Sequence, residues 1–477
     1  MKSILIVVAA TLALTVSGRE ASAQQFSSEQ LARRTVERRA VEAVIWGTPA
    51  VNFEVMHQAM VRDAKAGVGG NKVVYWSRLF DWKNQTLTPN PDAIYFMPFF
   101  DTRDVGPIVL EMPAASADGS ITGSVDDAWQ TAVADVGPAG VDKGKGGKYL
   151  ILSPGYKQSV PAGYIVLRPQ TYQGFALLRS ILKSGSEADV AKAVAYGKRI
   201  KFYPLSAAGK SPATQFVDAI DVVFEANIPY DLRFFESLDR VVQHEPWLDR
   251  DRVMIDKLRS IGIEKGKPFR PDAPTQEILR AAVAEAHAWL KNSYETGQFS
   301  SPPFYTGGRW SVPASPAVVQ GMSTAFGDPN AYPVDGRGTA YTIGFFSAKQ
   351  LGAGQFYLMT FKDRVGEPLD GSRGYRLTVP ANVPVRQYWS ATVYDRETHA
   401  LVRNVPRASR SSDSPGLQKN TDGSTDLYFG PQAPAGKESN WVPTRAGAGF
   451  EVLFRFYGPD KSFFEKKWQL PDIERMN

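Results

Sequence analysis

The chain has 477 residues, and its 55 Lys and Arg against 49 Asp and Glu give a formal charge of +6. This excess is small and no basic run accompanies it, so the composition does not indicate a nucleic-acid-binding protein. Cysteine is absent, which excludes disulfides, thiolate metal ligands and a cysteine nucleophile. A chain of this length buries large cores without such links and accommodates about two to three domains.

The first 23 residues have the three parts of a secretory signal peptide. A short basic start at Lys2 precedes an apolar run over 4–16, and Ala21-Ser22-Ala23 is a small-residue cleavage site. The apolar run is too short to span a bilayer. We therefore expect a periplasmic or secreted protein that is cleaved near Ala23 and has no stable membrane span afterwards.

Two helices are expected over 24–71. Ser27 and Gln30 form a capping-box pattern, and helix-forming residues continue from there to about Trp46. The segment 47–49, Gly-Thr-Pro, predicts a break, and a second helix follows over 51–65. Because amphipathic helices bury one face, we expect both to pack with the helical domain predicted further along the chain.

The stretch 85–95 is the most distinctive of the chain. Pro89 and Pro91 restrict its backbone, and an apolar, aromatic run over 93–100 predicts a strand directly after it. A rigid polar loop at the mouth of a buried strand often carries binding or catalytic groups, although an Asx-turn at a structural corner fits the same residues. The polar side chains that this loop holds are Thr88, Asn90 and Asp92.

The remaining patterns predict a multidomain α+β protein. Short strands at 108–112, 129–133, 149–152 and 164–168 indicate a β-sandwich domain over 72–169. Apolar spacing indicates a helical domain over 170–296, with helices at 171–182, 187–197, 216–226, 230–242, 249–260 and 275–292.

A linker and aromatic loop over 297–334 separates this helical domain from a second β domain. Alternating residues over 335–477 predict a C-terminal antiparallel jelly-roll β sandwich. Its strands are expected at 339–346, 356–362, 375–379, 387–394, 426–429 and 450–457.

The candidate chemistry is acid–base chemistry without a metal or a cofactor. The four histidines, at 57, 244, 287 and 399, do not have the spacing of a zinc motif. Asp92 is the candidate general base and Tyr95 the candidate acid, provided that burial shifts their pKa values. Arg445 or Arg455 would hold an anionic oxygen. The complete set of expected substrate-binding residues is Thr88, Asn90, Asp127, Trp129, Gln130, Trp310, Asn440, Trp441, Arg445, Arg455 and Tyr457. A structural role as a corner fastener or core side chain fits each of them as well.

Several motifs, taken in order, resemble a known family. They are Thr88-Pro-Asn-Pro-Asp-Ala-Ile-Tyr95, Leu152-Ser-Pro-Gly-Tyr156, Gly366-Glu-Pro-Leu-Asp-Gly371, Tyr388-Trp-Ser-Ala-Thr-Val-Tyr-Asp395 and Arg455-Phe-Tyr-Gly-Pro459. The chain resembles the bacterial two-domain proteins with domain of unknown function 1254 on the N-terminal side and domain of unknown function 1214 on the C-terminal side. This resemblance implies an N-terminal immunoglobulin-like β sandwich, a helical insert and a C-terminal jelly roll, and it implies no reaction. Many relatives have Asp-Thr where this chain has Asp92-Ala93.

Two classes of function fit these observations. One is a periplasmic hydrolase or lyase that acts on a small or oligomeric substrate in a cleft between domains. The other is a non-catalytic binding protein whose cleft is lined by the aromatic loop 304–310. A structural role and a homo-oligomer are also compatible with the sequence. Convergence of Asp92, Tyr95 and an arginine in one pocket would favour the enzyme.

Overall fold

The computed structural model describes residues 26–67, 70–297, 301–345 and 348–476. The predicted signal peptide lies outside these residues. Within them the chain forms a mixed α+β, multidomain fold with helices and several β-sheets. A membrane-crossing helix, which must be both long and apolar, does not occur in this described part of the chain.

One long helix, α1 (Ser28–Arg62), replaces the two predicted N-terminal helices. Ser27 forms the predicted capping box with Gln30, but the predicted break at Pro49 is wrong. The chain remains helical because residues around Pro49 are buried on all sides, so tertiary packing outweighs the lost hydrogen bond. Pro49 has no N–H to donate to the carbonyl of Ile45. This carbonyl faces Gly338 of a later helix.

The N-terminal half contains two sheets that pack over a shared core. The larger sheet has the strand order β11-β1-β3-β9-β5-β6, and the smaller has the order β10-β4-β7-β8. These strands and the short pair β2–β12 are β1 Lys72–Tyr75, β2 Asn84–Gln85, β3 Ile94–Asp101, β4 Ile108–Met112, β5 Ile121–Asp127, β6 Ala132–Val136, β7 Gly147–Ile151, β8 Ile165–Leu167, β9 Gln173–Ser180, β10 Lys201–Pro204, β11 Gln215–Asp218 and β12 Phe224–Glu225. The pairs β1–β11, β2–β12 and β7–β8 are parallel, and the others are antiparallel.

Two predicted helices in this half are strands. The segment 171–182 contains β9, which lies between β3 and β5, and the segment 216–226 contains most of β11 and all of β12. β9 is an apolar run that is buried on both faces, and such a run has no period that separates helix from strand. β11 is partly exposed, and its parallel pairing with β1 makes it a strand. The larger sheet therefore continues beyond residue 169.

The helices α4, α5 and α6 pack around α1. The described helices after α1 are α2 Thr102–Val105, α3 Glu187–Gly197, α4 Leu232–His244, α5 Val253–Arg259, α6 Ala273–Thr296, α7 Pro316–Ser323, α8 Val334–Ile343 and α9 Lys461–Phe464. Trp46 and Val51 of α1 share a core with Leu238, Leu279 and Leu290. The helices predicted at 187–197, 230–242, 249–260 and 275–292 are confirmed, with small shifts of their ends.

The predicted strand over 339–346 is wrong, because residues 339–343 form the second half of α8. Thr339, Tyr341 and Ile343 favour a strand by their side chains. In the fold they are buried around α8, which packs closely against α1 at Gly338. A Cβ at position 338 would lie 2.7 Å from the carbonyl oxygen of Ile45, so glycine allows this close approach.

The C-terminal half is built from two four-stranded sheets, and their strands agree with the remaining predictions. One sheet has the order β13-β19-β15-β16 and is antiparallel; the other has the order β18-β17-β14-β20, in which only β17–β18 is parallel. The strands are β13 Gln355–Thr360, β14 Tyr375–Val379, β15 Trp389–Asp395, β16 Ser409–Ser411, β17 Thr425–Gly430, β18 Trp441–Pro443, β19 Phe450–Tyr457 and β20 Glu474–Arg475.

Strand alternation determines which side chains meet where the two halves join. On β19, Phe454 and Phe456 enter the C-terminal core, so Leu453, Arg455 and Tyr457 lie on the opposite face. This face packs against the larger N-terminal sheet, since Leu453 shares a core with Tyr95, Leu177 and Tyr357. Polar residues on both sheets thus become buried at the domain junction.

Candidate functional site

The loop between β2 and β3 is bound to the C-terminal half mainly through its backbone. Thr88 has a positive φ of 40°, which is uncommon for a β-branched residue. Its N–H donates to the carbonyl of His399 at 2.7 Å, and its own carbonyl accepts from Arg455 Nη2 at 2.8 Å. The carbonyl of Pro89 accepts from the Tyr394 hydroxyl at 2.6 Å. The strained conformation is held by contacts across the junction.

Asn90 connects this loop to two stacked tyrosines. Its buried Nδ2 donates to the hydroxyls of Tyr388 and Tyr457, each at 2.9 Å, and the two rings stack with centroids 4.4 Å apart. Its Oδ1 accepts from the N–H of Asp92 at 3.0 Å, which is the predicted Asx-turn. Asn90 and Tyr457 therefore fix the position of the loop.

Arg455 is the main link between the loop and the C-terminal sheet. Besides the Thr88 carbonyl, its Nη2 lies 3.3 Å from the Pro89 carbonyl, and its Nη1 donates to Thr392 Oγ1 at 2.8 Å. A planar guanidinium suits several acceptors in one plane. Two of its acceptors are carbonyls of the loop, so Arg455 positions the loop.

Tyr95 and Arg179 are direct partners in the β3–β9 pair. Arg179 Nε donates to the Tyr95 hydroxyl at 3.0 Å, and both side chains are buried. They line two small cavities at the junction, each of about 30 Å³, which we call the inner cavities. The residues common to both are Thr88, Tyr95, Arg179 and Phe345.

Arg179 is a site residue that sequence reasoning missed. A charge on the same strand face as Phe175 and Leu177 is a signal of function, since buried charges are retained only where they are needed. In the helix predicted over 171–182 these three residues would not share one face, so the sequence pattern does not indicate the buried charge.

Asp92 lies on the other side of the loop, in an open groove between the two halves. The groove has a volume of about 240 Å³. It is lined by Leu79, Phe80, Asp81, Trp82, Pro91, Asp92, Leu182, Gly185, Val405, Pro406, Arg407, Ala408, Ser409, Arg410, Ser411, Asp413, Ser414 and Pro415. Tyr95 does not line this groove, so the two predicted catalytic residues are separated.

The carboxyl of Asp92 is held in an environment that favours its neutral form. Ser409 Oγ donates to Oδ1 at 2.9 Å, while Oδ2 is buried without a hydrogen-bond partner in the described part of the chain. Burial raises the pKa of Asp92 to about 6, although the Ser409 hydrogen bond and the charge of Arg455 lower it.

A second carboxyl in the groove, that of Asp413, was not among the predicted residues. Burial raises its pKa to about 6, and the nearby charge of Asp92 adds to the rise. Asp413 belongs to a Ser-rich turn that has no recognisable motif in the sequence. Only the fold, which brings residues 92 and 413 into one groove, identifies it.

Asp127, Trp129 and Gln130 form a structural corner away from the groove and the inner cavities. Asp127 Oδ1 accepts from the N–H groups of Trp129 and Thr131, each at 2.9 Å. Gln130 Nε2 donates to the carbonyl of Pro49 at 3.0 Å, and the carbonyl of Trp129 accepts from Arg337. These contacts connect the β5–β6 turn with α1 and α8.

The other predicted residues also have structural contacts. Trp310 is fully buried in the C-terminal core and donates from Nε1 to the Pro471 carbonyl at 2.9 Å. Asn440 bonds to the backbone of Gln418 and Asp426, and Trp441 Nε1 donates to the Gly430 carbonyl. Arg445 is half exposed and pairs with Asp395 at 2.6 Å.

The sequence-predicted set therefore divides into three groups. Thr88, Tyr95 and Arg455 meet at the inner cavities, with Asn90 and Tyr457 fixing the loop beside them. Asp92 lines the groove with Asp413. The remaining predicted residues lie elsewhere. In the described residues no group of His, Asp or Glu side chains has the arrangement of a metal site.

Comparisons with known proteins identify domains and fold but no activity. Protein of unknown function (DUF1254) matches residues 70–204, and Protein of unknown function (DUF1214) matches residues 354–461, which confirms the predicted resemblance and its order. No curated protein matches the chain. The VPA0106 protein from Vibrio parahaemolyticus has a similar structure, with a TM-score of 0.58 at 18% identity over 93% of this chain and 100% of that chain. An uncharacterised protein from Burkholderia cenocepacia gives a TM-score of 0.38 at 12% identity, covering 93% and 94% of the two chains.

Proposed function

We propose that this chain, in which a DUF1254 match precedes a DUF1214 match, is an exported acid–base enzyme, a cofactor-independent hydrolase or lyase. Its substrate binds in the groove between the two halves. The observation that carries this proposal is that the groove brings together one carboxyl from each half, Asp92 and Asp413, both with a pKa of about 6.

The two carboxyls suit opposite roles in proton transfer. A group with a pKa near the working pH both accepts and donates a proton efficiently. Because the charge of Asp92 raises the pKa of Asp413, ionising one carboxyl favours the protonated form of the other. Asp92 acts as the base and Asp413 as the acid. Asp413 thus takes the role first assigned to Tyr95, whose hydroxyl is bonded to Arg179.

The walls of the groove indicate the kind of substrate. Phe80 and Trp82 supply aromatic surface, and Arg407 and Arg410 supply positive charge on the C-terminal side. A volume of about 240 Å³ fits a small molecule or one unit of an oligomer. We propose a substrate with an apolar face for the rings and polar groups for the arginines.

The test is a pH–rate profile of the purified mature protein on a panel of 4-nitrophenyl esters and glycosides. We expect a bell-shaped profile around pH 6 and a loss of about 10²–10⁴-fold for Asp92→Asn and for Asp413→Asn. Asp118→Asn, on an exposed turn, serves as the control with unchanged rate. Full activity of Asp92→Asn on a substrate that the protein turns over would contradict the proposal.

A non-catalytic binding protein is the second candidate, favoured by the aromatic wall of the groove. Trp310 does not take part, since it lies in the C-terminal core, so the binding surface would be Phe80 and Trp82. A ligand that quenches Trp82 fluorescence and is not converted to product by any preparation of the protein would support this candidate. The same quenching in Asp92→Asn, together with turnover by the unmodified protein, would support the enzyme.

Export is part of the proposal and rests on the first 23 residues. We expect the protein recovered from the periplasm or medium to begin at Gln24. Intact-mass analysis of that material checks this expectation. A mass that includes Met1–Ala23 would refute cleavage at this site.

We also propose finer fold assignments for the two β regions. The two packed N-terminal sheets support an immunoglobulin-like sandwich, and the eight strands of the two C-terminal sheets support a jelly roll. The parallel pair β17–β18 is an irregularity within this second assignment. Comparison of the strand connections with an experimental structure of this chain would decide both.

A further inference from the structure

The first inner cavity contains two buried cations. Arg179 and Arg455 both line it, one from each half of the protein, and the described residues that complete its wall include no Asp or Glu. Burying a guanidinium away from water is costly unless an anion or a full set of acceptors compensates it. Two buried carboxyls interact electrostatically with these arginines, Asp92 with Arg455 and Asp126 with Arg179. Neither carboxyl lines the cavity of about 30 Å³, so a hydrogen-bonded anion inside it would add compensation that the protein does not supply there.

Arg455 and Arg179 differ in how far the protein itself satisfies them. Arg455 bonds to carbonyls of the loop and to Thr392. Arg179 donates from Nε to Tyr95, but its Nη1 is buried and has no hydrogen-bond partner among the described residues. Arg179 is 95% buried, so bulk water does not replace the missing acceptor. Since Arg179 lines both inner cavities, this leftover donor is available to a ligand atom inside the junction.

The second inner cavity has a different lining. Arg179 and Tyr95 line this cavity as well as the first inner cavity. Its apolar wall is formed by Met56, Phe80, Leu87, Met97, Leu177 and Phe345. The pair thus offers a cationic end and an apolar end that meet at Arg179. A volume of about 30 Å³ corresponds to about two water-sized positions in each cavity.

We propose that the inner cavities form a binding site for a short-chain monocarboxylate of about two to four carbons. The carboxylate accepts from Arg179 Nη1 beside Arg455, and the alkyl chain occupies the second cavity against Met97 and Leu177. A hydrogen bond from a guanidinium N–H to a carboxylate is charge-assisted and stronger than one between neutral groups. Because the two cations come from opposite halves, the bound anion joins the two domains. This site shares Phe80 with the groove but neither of the two carboxyls there, and it does not depend on the proposed enzyme activity.

The first test uses the unmodified protein. Its melting temperature is measured at pH 7 and constant ionic strength with formate, acetate, propionate, butyrate and octanoate, each balanced with sodium chloride. We expect saturable rises of a few degrees for acetate to butyrate, and none for octanoate, 1-butanol or butylammonium. Equal effects of butyrate and chloride, or of butyrate and 1-butanol, would overturn the proposal.

The second test assigns the effect to Arg179. We expect Arg179→Gln to lose the carboxylate-dependent rise. Arg337→Gln removes an equally buried guanidinium that lines neither cavity, so it lowers the melting temperature yet keeps the rise. If Arg179→Gln does not fold, Leu177→Phe, which fills the apolar cavity, should abolish the response to butyrate and keep the response to acetate. Retention of the butyrate response in Arg179→Gln or in Leu177→Phe would overturn the proposal.

Discussion

Asp92 shows how one loop serves two environments. The prolines on either side of Asn90 direct Thr88 towards the inner cavities and Asp92 towards the groove. Burial of the carboxyl and the orphan Oδ2 favour the protonated form, and the Ser409 hydrogen bond only partly offsets them. The raised pKa of Asp92 is therefore a property of its surroundings in the folded state.

The pH dependence of stability should reveal this raised pKa. The folded state binds the Asp92 proton more tightly than the unfolded state, because the pKa is about 6 rather than 3.8. As the pH falls from about 7 to about 4, unmodified protein should gain about 2–3 kcal/mol of unfolding free energy relative to Asp92→Asn. Above pH 7 the difference should be constant. Urea unfolding at several pH values measures it.

Asp118→Asn is the control for this experiment, since its side chain is exposed. Its stability relative to the unmodified protein should change little over the same pH range. A difference between Asp92→Asn and the unmodified protein that is independent of pH would show that Asp92 is ionised with an ordinary pKa.

Helix α1 organises the protein at the scale of elements. One part of α1 packs with α4, α5 and α6, while Phe53 packs on Phe99 and Phe175 of the larger sheet. Its proline is accommodated because α8 approaches through Gly338, directly beside the carbonyl of Ile45. The two helices therefore depend on each other at this contact.

Gly338→Ala tests this contact, because two effects oppose each other there. Helix propensity favours Ala over Gly by about 1 kcal/mol. The added Cβ, however, would lie 2.7 Å from the backbone oxygen of Ile45, which cannot rotate away. Overpacking costs about 1–3 kcal/mol or more, so we expect net destabilisation, measured as a lower urea midpoint.

Gly336→Ala, on the same helix, is the matched control. Its new Cβ would meet side-chain atoms of Val318, Ser315 and Pro333 instead of a backbone oxygen, and side-chain atoms shift more easily than the backbone. We expect a smaller loss than for Gly338→Ala. Equal losses, or a gain for Gly338→Ala, would mean that the α1–α8 contact is looser than described.

At the scale of the whole molecule, the groove and the inner cavities proposed as sites all lie at the junction of the two halves. The larger N-terminal sheet and the β13-β19-β15-β16 sheet share a hydrophobic core. Buried polar residues such as Arg179 and Arg455 lie within it, and the loop around Asn90 bonds to the C-terminal sheet. Residues from both halves line the groove. Relative movement of the halves would therefore change the groove and the inner cavities together.

Arg455→Lys tests the coupling of the halves. A lysine keeps the charge but cannot reach Thr88, Pro89 and Thr392 at once. Leaving buried acceptors unpaired should cost about 2–4 kcal/mol of unfolding free energy. Urea unfolding measures the loss, and Arg445→Lys, at a half-exposed ion pair, should change it by less than about 1 kcal/mol. Similar effects of both substitutions would contradict a coupling role for Arg455.

The sequence by itself was sufficient for features that depend on neighbouring residues. The alternation of Phe454, Arg455, Phe456 and Tyr457 predicts β19 and its two faces, and the prolines around Asn90 predict a rigid polar loop. Motifs along the chain predict the two-domain family. These signals are reliable because strand period, turn geometry and capping are set within a few residues.

Only the tertiary structure decided which of these side chains meet. Residues 173–180 form a strand that is buried on both faces. The pairing of this strand with β3 places Arg179 beside Tyr95. Close packing of α8 kept α1 continuous through Pro49. The approach of Asp413 to Asp92 joins positions more than three hundred residues apart. Such contacts depend on how whole sheets and helices pack, and no local period in the sequence records that packing.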